Sequence, residues 1–167
     1  MNKLYISLVV IVVLFFGGAI YLKTKTMPRL GIAQKDLGGN HVRQKTYNGT
    51  EPPTSGDHAE PIKWGIYETP QADVNTLHNL EHGGIYITYT DQLPKNDLEQ
   101  LKNLVAQPFS QKNFTPAKVI VAPRPNNDSV LILSSWNRSL KLDKYDKQVI
   151  IDYYNTNVNK SPEPQAG

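Results

Sequence analysis

The chain has four histidines, and all of them lie in its first half. Histidine is the commonest metal ligand, and it is the one side chain whose unperturbed pKa lies near neutral pH. A single histidine would indicate little, but four within one stretch favour a shared metal site. They are His41, His58, His78 and His82.

The most informative spacing is that of His78 and His82, which frame the string HNLEH. Residues i and i+4 share one face of a helix, with Cβ atoms about 5–6 Å apart, so two such imidazoles can bind one ion. The string also matches H-x-x-E-H, the inverted zinc-protease motif, in which Glu81 would activate a water molecule. Gly83 and Gly84 end the predicted helix at the second histidine, whereas the protease site needs a longer helix. The sequence therefore favours metal binding over proteolysis.

His58 is the predicted third ligand, because the rigid loop PPTSG before it would fix its position. Three histidines with an open fourth position describe a catalytic or exchangeable metal site. His41, or a carboxylate such as Glu81 or Asp57, could complete the set. Imidazole and carboxylate ligands suit copper, zinc or nickel, and the absence of cysteine excludes thiolate ligands. We predict a copper or zinc ion with ligands among His58, His78, His82, His41 and Glu81.

Two other functions remain open at this point. The first is a metal-dependent hydrolase that uses Glu81 as its base and has an open cleft over the metal. The second is a non-enzymatic interaction module in which each histidine is structural and hydrogen-bonds a backbone carbonyl. The interaction module predicts that the imidazoles point apart, so the positions of the ring nitrogens distinguish it from a metal site.

A run of nineteen residues from Leu4 to Leu22 carries no charge. At about 1.5 Å per residue, a helix of this length spans about 30 Å, which is the thickness of the hydrocarbon core of a bilayer. The run is longer than the apolar core of a cleaved signal peptide, and no small-x-small cleavage site follows it. We therefore predict an uncleaved transmembrane anchor at residues 1–23, in contact with membrane lipid through residues 4–22.

The charges beside this anchor favour a cytosolic domain. Lys3 precedes the run, whereas Lys23, Lys25 and Arg29 follow it, and positive residues usually stay on the cytosolic side. Long domains translocate largely regardless of charge, however, so this tally does not decide the side. We expect an extracytoplasmic domain at the cell membrane. The sequence does not identify a membrane protein partner for it.

The remaining chain suffices for one domain. We predict a linker at 24–40, the domain at 41–158 and a disordered tail at 159–167. The net charge is +3, and basic residues beyond the anchor are scattered among acidic ones, so no nucleic-acid-binding surface is indicated.

Hydrophobic periodicity and turn residues predict an α+β fold, with a small antiparallel sheet and helices packed on one face of it, preceded by the one transmembrane helix. The string PRPNNDS between the fourth and fifth strands is rich in turn formers and predicts a hairpin there. The predicted helices span residues 72–82, 95–107 and 146–158, and the predicted strands span 41–48, 62–68, 85–90, 118–122 and 130–135.

The order of the motifs resembles that of a known family. His41 and Tyr47, followed by PPTSGDH at 52–58, WGIY at 64–67 and HNLEHGG at 78–84, are similar to the bacterial domain-of-unknown-function family 3105, over about residues 41–138. The resemblance implies a prokaryotic protein with an N-terminal anchor and an exported domain, and it implies no established reaction. All four histidines lie within the matching blocks, which supports the metal hypothesis.

Overall fold

The computed structural model describes residues 28–106 and 117–166. The predicted anchor at residues 1–23 lies outside these ranges, and no helix within them is long and apolar enough to cross a membrane. Six strands and three helices occur in the described ranges: β1 (Ile32–Ala33), β2 (Gly65–Ile66), α1 (Asp73–Glu81), β3 (Ile85–Tyr89), α2 (Lys95–Ala106), β4 (Val119–Pro123), β5 (Leu131–Ser135), β6 (Arg138–Leu142) and α3 (Lys147–Asn157).

The strands form one mixed sheet with the order β1-β6-β5-β3-β4-β2. β4 pairs in parallel with both β3 and β2, and the other pairs are antiparallel. The α+β class is confirmed, but the prediction of an antiparallel sheet is wrong. The reason lies in the connection between β3 and β4, which contains α2. A connection of that length crosses over the sheet, so the second strand runs in the same direction as the first.

The predicted hairpin between β4 and β5 is wrong as well, because β3 lies between these two strands in the sheet. β5 instead forms a hairpin with β6, a strand that hydrophobic patterning does not reveal because two of its five residues are basic. Asn137 closes this hairpin with a φ of 56°, a left-handed conformation that asparagine tolerates better than most residues. The hairpin therefore forms at Asn137, whereas the sequence pattern predicted one at PRPNNDS.

Helices cover both faces of the sheet. One hydrophobic cluster joins Ile87 and Leu133 of the sheet to residues of α2 and α3. A second cluster joins Tyr86, on the opposite face of β3, to Leu77 and Leu80 of α1. The prediction that all helices pack on one face is therefore wrong. The polarity of β3 alternates along its sequence, but all five of its residues are buried because helices flank it on both sides.

The two segments flanking the predicted domain also pack against it. Residues 28–40, predicted to be a linker, contribute β1, which pairs with β6 at Ile32 and Ser139. Residues 159–166, predicted to be a disordered tail, follow α3 back to the end of α1. There the amide of Asn159 donates to the Gly83 carbonyl at 2.8 Å. Backbone hydrogen bonds therefore hold both segments, although their polar composition suggested otherwise.

Truncation of Leu133 to alanine should destabilise the fold strongly. Leu133 is fully buried in the centre of the sheet, and a cavity left by a buried leucine costs about 2–5 kcal/mol. Ile32→Ala provides the matched control, because this side chain is 70 % exposed and its loss should cost less than about 0.5 kcal/mol. Urea denaturation of the two variants and the parent measures the difference. Equal losses of stability would contradict the described core.

Candidate metal centre

A short backbone bridge brings the first two histidines together. His41 and His58 pair as an isolated parallel bridge, in which the His58 amide donates to the Asn40 carbonyl at 3.0 Å and the Val42 amide donates to the His58 carbonyl at 2.9 Å. The strand predicted at residues 41–48 is limited to this single bridge. The bridge aligns the two residues side by side, although seventeen positions separate them in the sequence.

Helix α1 supplies the other two members of the cluster. His78 and Glu81 are three residues apart, so their side chains leave the same face of the helix. Both are buried, at 7 % relative exposure each. Asn79 attaches this helix to the segment after His58. Its side chain accepts from the Ile62 amide at 3.0 Å and donates to the Ile62 carbonyl at 2.8 Å.

The four side chains converge on one point. One potential ligand atom from each of His41, His58, His78 and Glu81 lies within 4.8 Å of all the others. The imidazole centroids of the three histidines are 4.7–4.8 Å apart. In a tetrahedral site with bonds of about 2.1 Å, the ligand atoms are about 3.4 Å apart. A separation of 4.8 Å therefore has to close by roughly 1.4 Å for all four atoms to bind, and the exposed His41 side chain is the ligand that can move most easily.

Backbone carbonyls determine which ring nitrogens face this point. His58 Nδ1 lies 2.9 Å from the Gly56 carbonyl oxygen, and His78 Nδ1 lies 2.7 Å from the Ala59 carbonyl oxygen. A carbonyl only accepts, so each Nδ1 carries the hydrogen and each Nε2 of a neutral ring carries a lone pair. Metal-ligating histidines typically have this arrangement, in which the second nitrogen donates to a carbonyl or carboxylate.

A cation between His58 and Glu81 would resolve an otherwise unfavourable contact. His58 Nε2 lies 2.9 Å from Glu81 Oε2, yet this buried nitrogen has no partner with hydrogen-bond geometry. A nitrogen lone pair this close to a carboxylate oxygen is unfavourable unless a positive charge lies near both atoms. This buried, unpartnered nitrogen therefore fits a metal ligand.

The backbone of Gly39 passes directly over the cluster. A Cβ atom at this position would lie 2.8 Å from His58 Cε1 and 3.0 Å from Glu81 Oε1. Only glycine therefore allows the chain to approach the two side chains so closely. The segment that carries His41 thus closes one side of the cluster.

His82 lies outside this group of four. Its ring contacts that of His78, with the centroids 4.5 Å apart, but its Nε2 is 3.9 Å from Glu163 Oε2 in the C-terminal segment. Burial lowers the pKa of His82, and the neighbouring His78 lowers it further, while Glu163 opposes both effects. Of the i,i+4 pair His78 and His82, only His78 therefore belongs to the group of four. Glu81 is the second residue that α1 contributes to it.

Asp57, the other carboxylate considered from the sequence, is directed elsewhere. Its oxygens accept hydrogen bonds from Asn40 at 2.9 Å and from Lys45 at 3.0 Å. The hydrogen bond from Asn40 lowers the pKa of this carboxyl group most, followed by that from Lys45. Asp57 therefore supports the loop before His58 and is not part of the cluster.

The C-terminal segment packs against the end of α1 that carries the cluster. The Glu163 amide donates to the Glu81 carbonyl at 3.1 Å. The Lys118 ammonium donates to the carbonyls of His82 and Pro164 at 2.9 and 3.0 Å. Carbonyls at a helix C-terminus need such partners, because no further helical turn supplies them.

The comparisons with known proteins support membership of one family. A family model matches residues 41–167. The chain belongs to the family described as Protein of unknown function (DUF3105). The match extends beyond the predicted limit at residue 138 and includes α3 and the C-terminal segment. No curated protein and no solved structure matches the chain.

The motifs of this DUF3105 chain contain several residues whose positioning role the sequence alone did not reveal. Gly56 supplies the carbonyl that orients His58, and its φ of 121° favours glycine. Gly84 packs under Trp64, where a Cβ atom would lie 2.3 Å from the indole ring. No sequence pattern around Asn79 or Gly39 indicates their roles beside the cluster. Only the density of glycine and asparagine around the histidines could have pointed to a close-packed site.

Substitution of Gly39 by alanine should weaken metal binding. The added methyl group would displace the His58 ring or the Glu81 carboxylate, and disturbed positioning of ligands typically costs about 10–100-fold in metal affinity. Gly49→Ala is the matched control, because its Cβ would meet the nearest atom, the Glu51 carbonyl oxygen, at an ordinary 3.4 Å. Isothermal titration with Zn²⁺ measures both affinities. Unchanged zinc affinity in Gly39→Ala would contradict the close packing of the Gly39 backbone against His58 and Glu81.

Proposed function

We propose that the chain is a membrane-anchored, extracytoplasmic metal-binding domain whose ion is copper or zinc. The ligands are His41, His58, His78 and Glu81. The observation that carries the proposal is the convergence of these four groups within 4.8 Å. The hydrogen-bonded Nδ1 atoms of His58 and His78 support it, because they leave the two Nε2 lone pairs for an ion.

The donor set favours a borderline transition metal. Three imidazole nitrogens and one carboxylate oxygen suit zinc or copper, whereas calcium and magnesium prefer oxygen ligands throughout. With neutral imidazoles, the single carboxylate leaves a bound divalent ion with a net charge of +1. A bound ion would also offset the cost of burying the Glu81 carboxyl group 2.9 Å from His58 Nε2.

The two alternative functions receive less support from the geometry. In the hydrolase hypothesis His78 and His82 both bind the metal and Glu81 activates water, but here Glu81 belongs to the group and His82 does not. The interaction-module hypothesis requires imidazoles that point apart. His58 and His78 do bond backbone carbonyls, as that hypothesis expects, but each does so through Nδ1 alone, and their rings lie together with centroids 4.7 Å apart.

Removal of a buried ligand should abolish metal binding, whereas removal of His82 should not. We expect His58→Ala to lose about 100-fold or more in Zn²⁺ affinity, since even indirect disturbance of a ligand costs about 10–100-fold. His82→Ala is the matched control from the same cluster of rings and should stay within about threefold of the parent. Equilibrium dialysis with Zn²⁺ and Cu²⁺ measures all three proteins, and circular dichroism verifies that the variants are folded. A parent protein that binds neither ion would contradict the proposal.

The location proposed for the domain rests on the uncharged run at residues 4–22 and on the family resemblance. We expect the protein to sediment with membranes and to require detergent for extraction. Protease added to intact cells should degrade the domain while a cytosolic marker stays intact. Protection of the domain until the cells are lysed would place it on the cytosolic side instead.

A further inference from the structure

The four proposed ligands differ sharply in their exposure to solvent. The side chain of His41 is 66 % exposed, whereas those of His58 and Glu81 are 1 % and 9 % exposed. His78 is buried as well. Three ligands thus form a buried half-shell on one side of the common point, and His41 faces the solvent on the other.

The same four ligands also differ in how firmly their side chains are held. The rings of His58 and His78 are each fixed by a hydrogen bond from Nδ1 to a carbonyl. Within residues 28–106 and 117–166, no hydrogen bond of the His41 ring is found. Its Nε2 approaches Glu81 Oε2 only to 3.9 Å. The backbone at His41 is nevertheless fixed by its bridge to His58, so the freedom belongs to the side chain and not to the segment.

We propose that His41 is an exchange ligand, through which the metal ion passes between this site and an acceptor that binds it with nitrogen or oxygen ligands. The ion is then cargo and not a permanent cofactor. This inference rests on the proposed function and adds the route by which the ion leaves. The buried half-shell retains the ion, and rotation of the exposed imidazole opens one coordination position towards solvent.

The exchange is a ligand substitution without a change of oxidation state. The bond between the metal and the His41 nitrogen breaks, and the nitrogen keeps its electron pair. A lone pair on the acceptor forms the new bond at the vacated position. Further acceptor atoms then replace His58, His78 and Glu81, which keep their own electron pairs. The acceptor approaches from the His41 side, because the other three ligands are covered by protein.

Transfer of zinc to a chelator tests this role. The full chain in detergent micelles is loaded with one equivalent of Zn²⁺ and mixed with increasing concentrations of EDTA, and the rate of transfer is followed. We expect the rate to rise in proportion to the EDTA concentration, because the chelator enters the coordination shell before the ion leaves. His41→Ala should transfer zinc about tenfold faster at each concentration and lose at most about tenfold in affinity. His78→Ala should lose about 100-fold or more.

Two controls separate exchange from a general loss of structure. His82→Ala should transfer zinc at the rate of the parent protein, because this residue lies outside the group of four. The thermal midpoint of metal-free His41→Ala should equal that of the metal-free parent. A transfer rate independent of EDTA concentration would overturn the proposal, as would a loss of affinity in His41→Ala as large as that in His78→Ala. A parent chain that cannot be loaded with zinc would instead overturn the proposed function itself.

Discussion

The orientation of two buried imidazoles by backbone carbonyls is the constraint on which the rest of this structure depends. Because the carbonyls of Gly56 and Ala59 each accept from an Nδ1 atom, the Nε2 atoms of His58 and His78 are the ring nitrogens left to bind an ion. A rotated ring would lose its hydrogen bond in a buried position, which costs about 1–3 kcal/mol. The fold therefore holds a preorganised pair of donors beside Glu81.

The surrounding architecture serves to hold these carbonyls against helix α1. The two hydrogen bonds between the Asn79 side chain and the Ile62 backbone attach the helix to the segment that follows His58. Leu77 and Leu80 anchor the adjoining face of the helix in the core cluster beside the sheet. Loss of either attachment would move His78 and Glu81 relative to His58. The motif HNLEHGG thus combines ligands and packing residues within seven positions.

The sequence-based set of candidate ligands contains the four residues that lie together, and it also contains His82, which lies outside that group. Helical spacing explains why His78 and His82 were paired, since i and i+4 share a face. The helix, however, ends at Glu81, so His82 lies at its cap and faces the C-terminal segment. That contact depends on residues 159–166 folding back, which their polar composition does not predict. The parallel pairing of β3 with β4 was missed for a related reason, because strand order depends on long-range packing and not on local periodicity.

Anomalous diffraction from crystals of the zinc-loaded protein would show whether a single ion joins these side chains. We expect one strong peak about 2.0–2.2 Å from Nε2 of His58, Nε2 of His78 and an oxygen of Glu81. A peak held by His82 and Glu163, or no peak at saturating zinc, would contradict it.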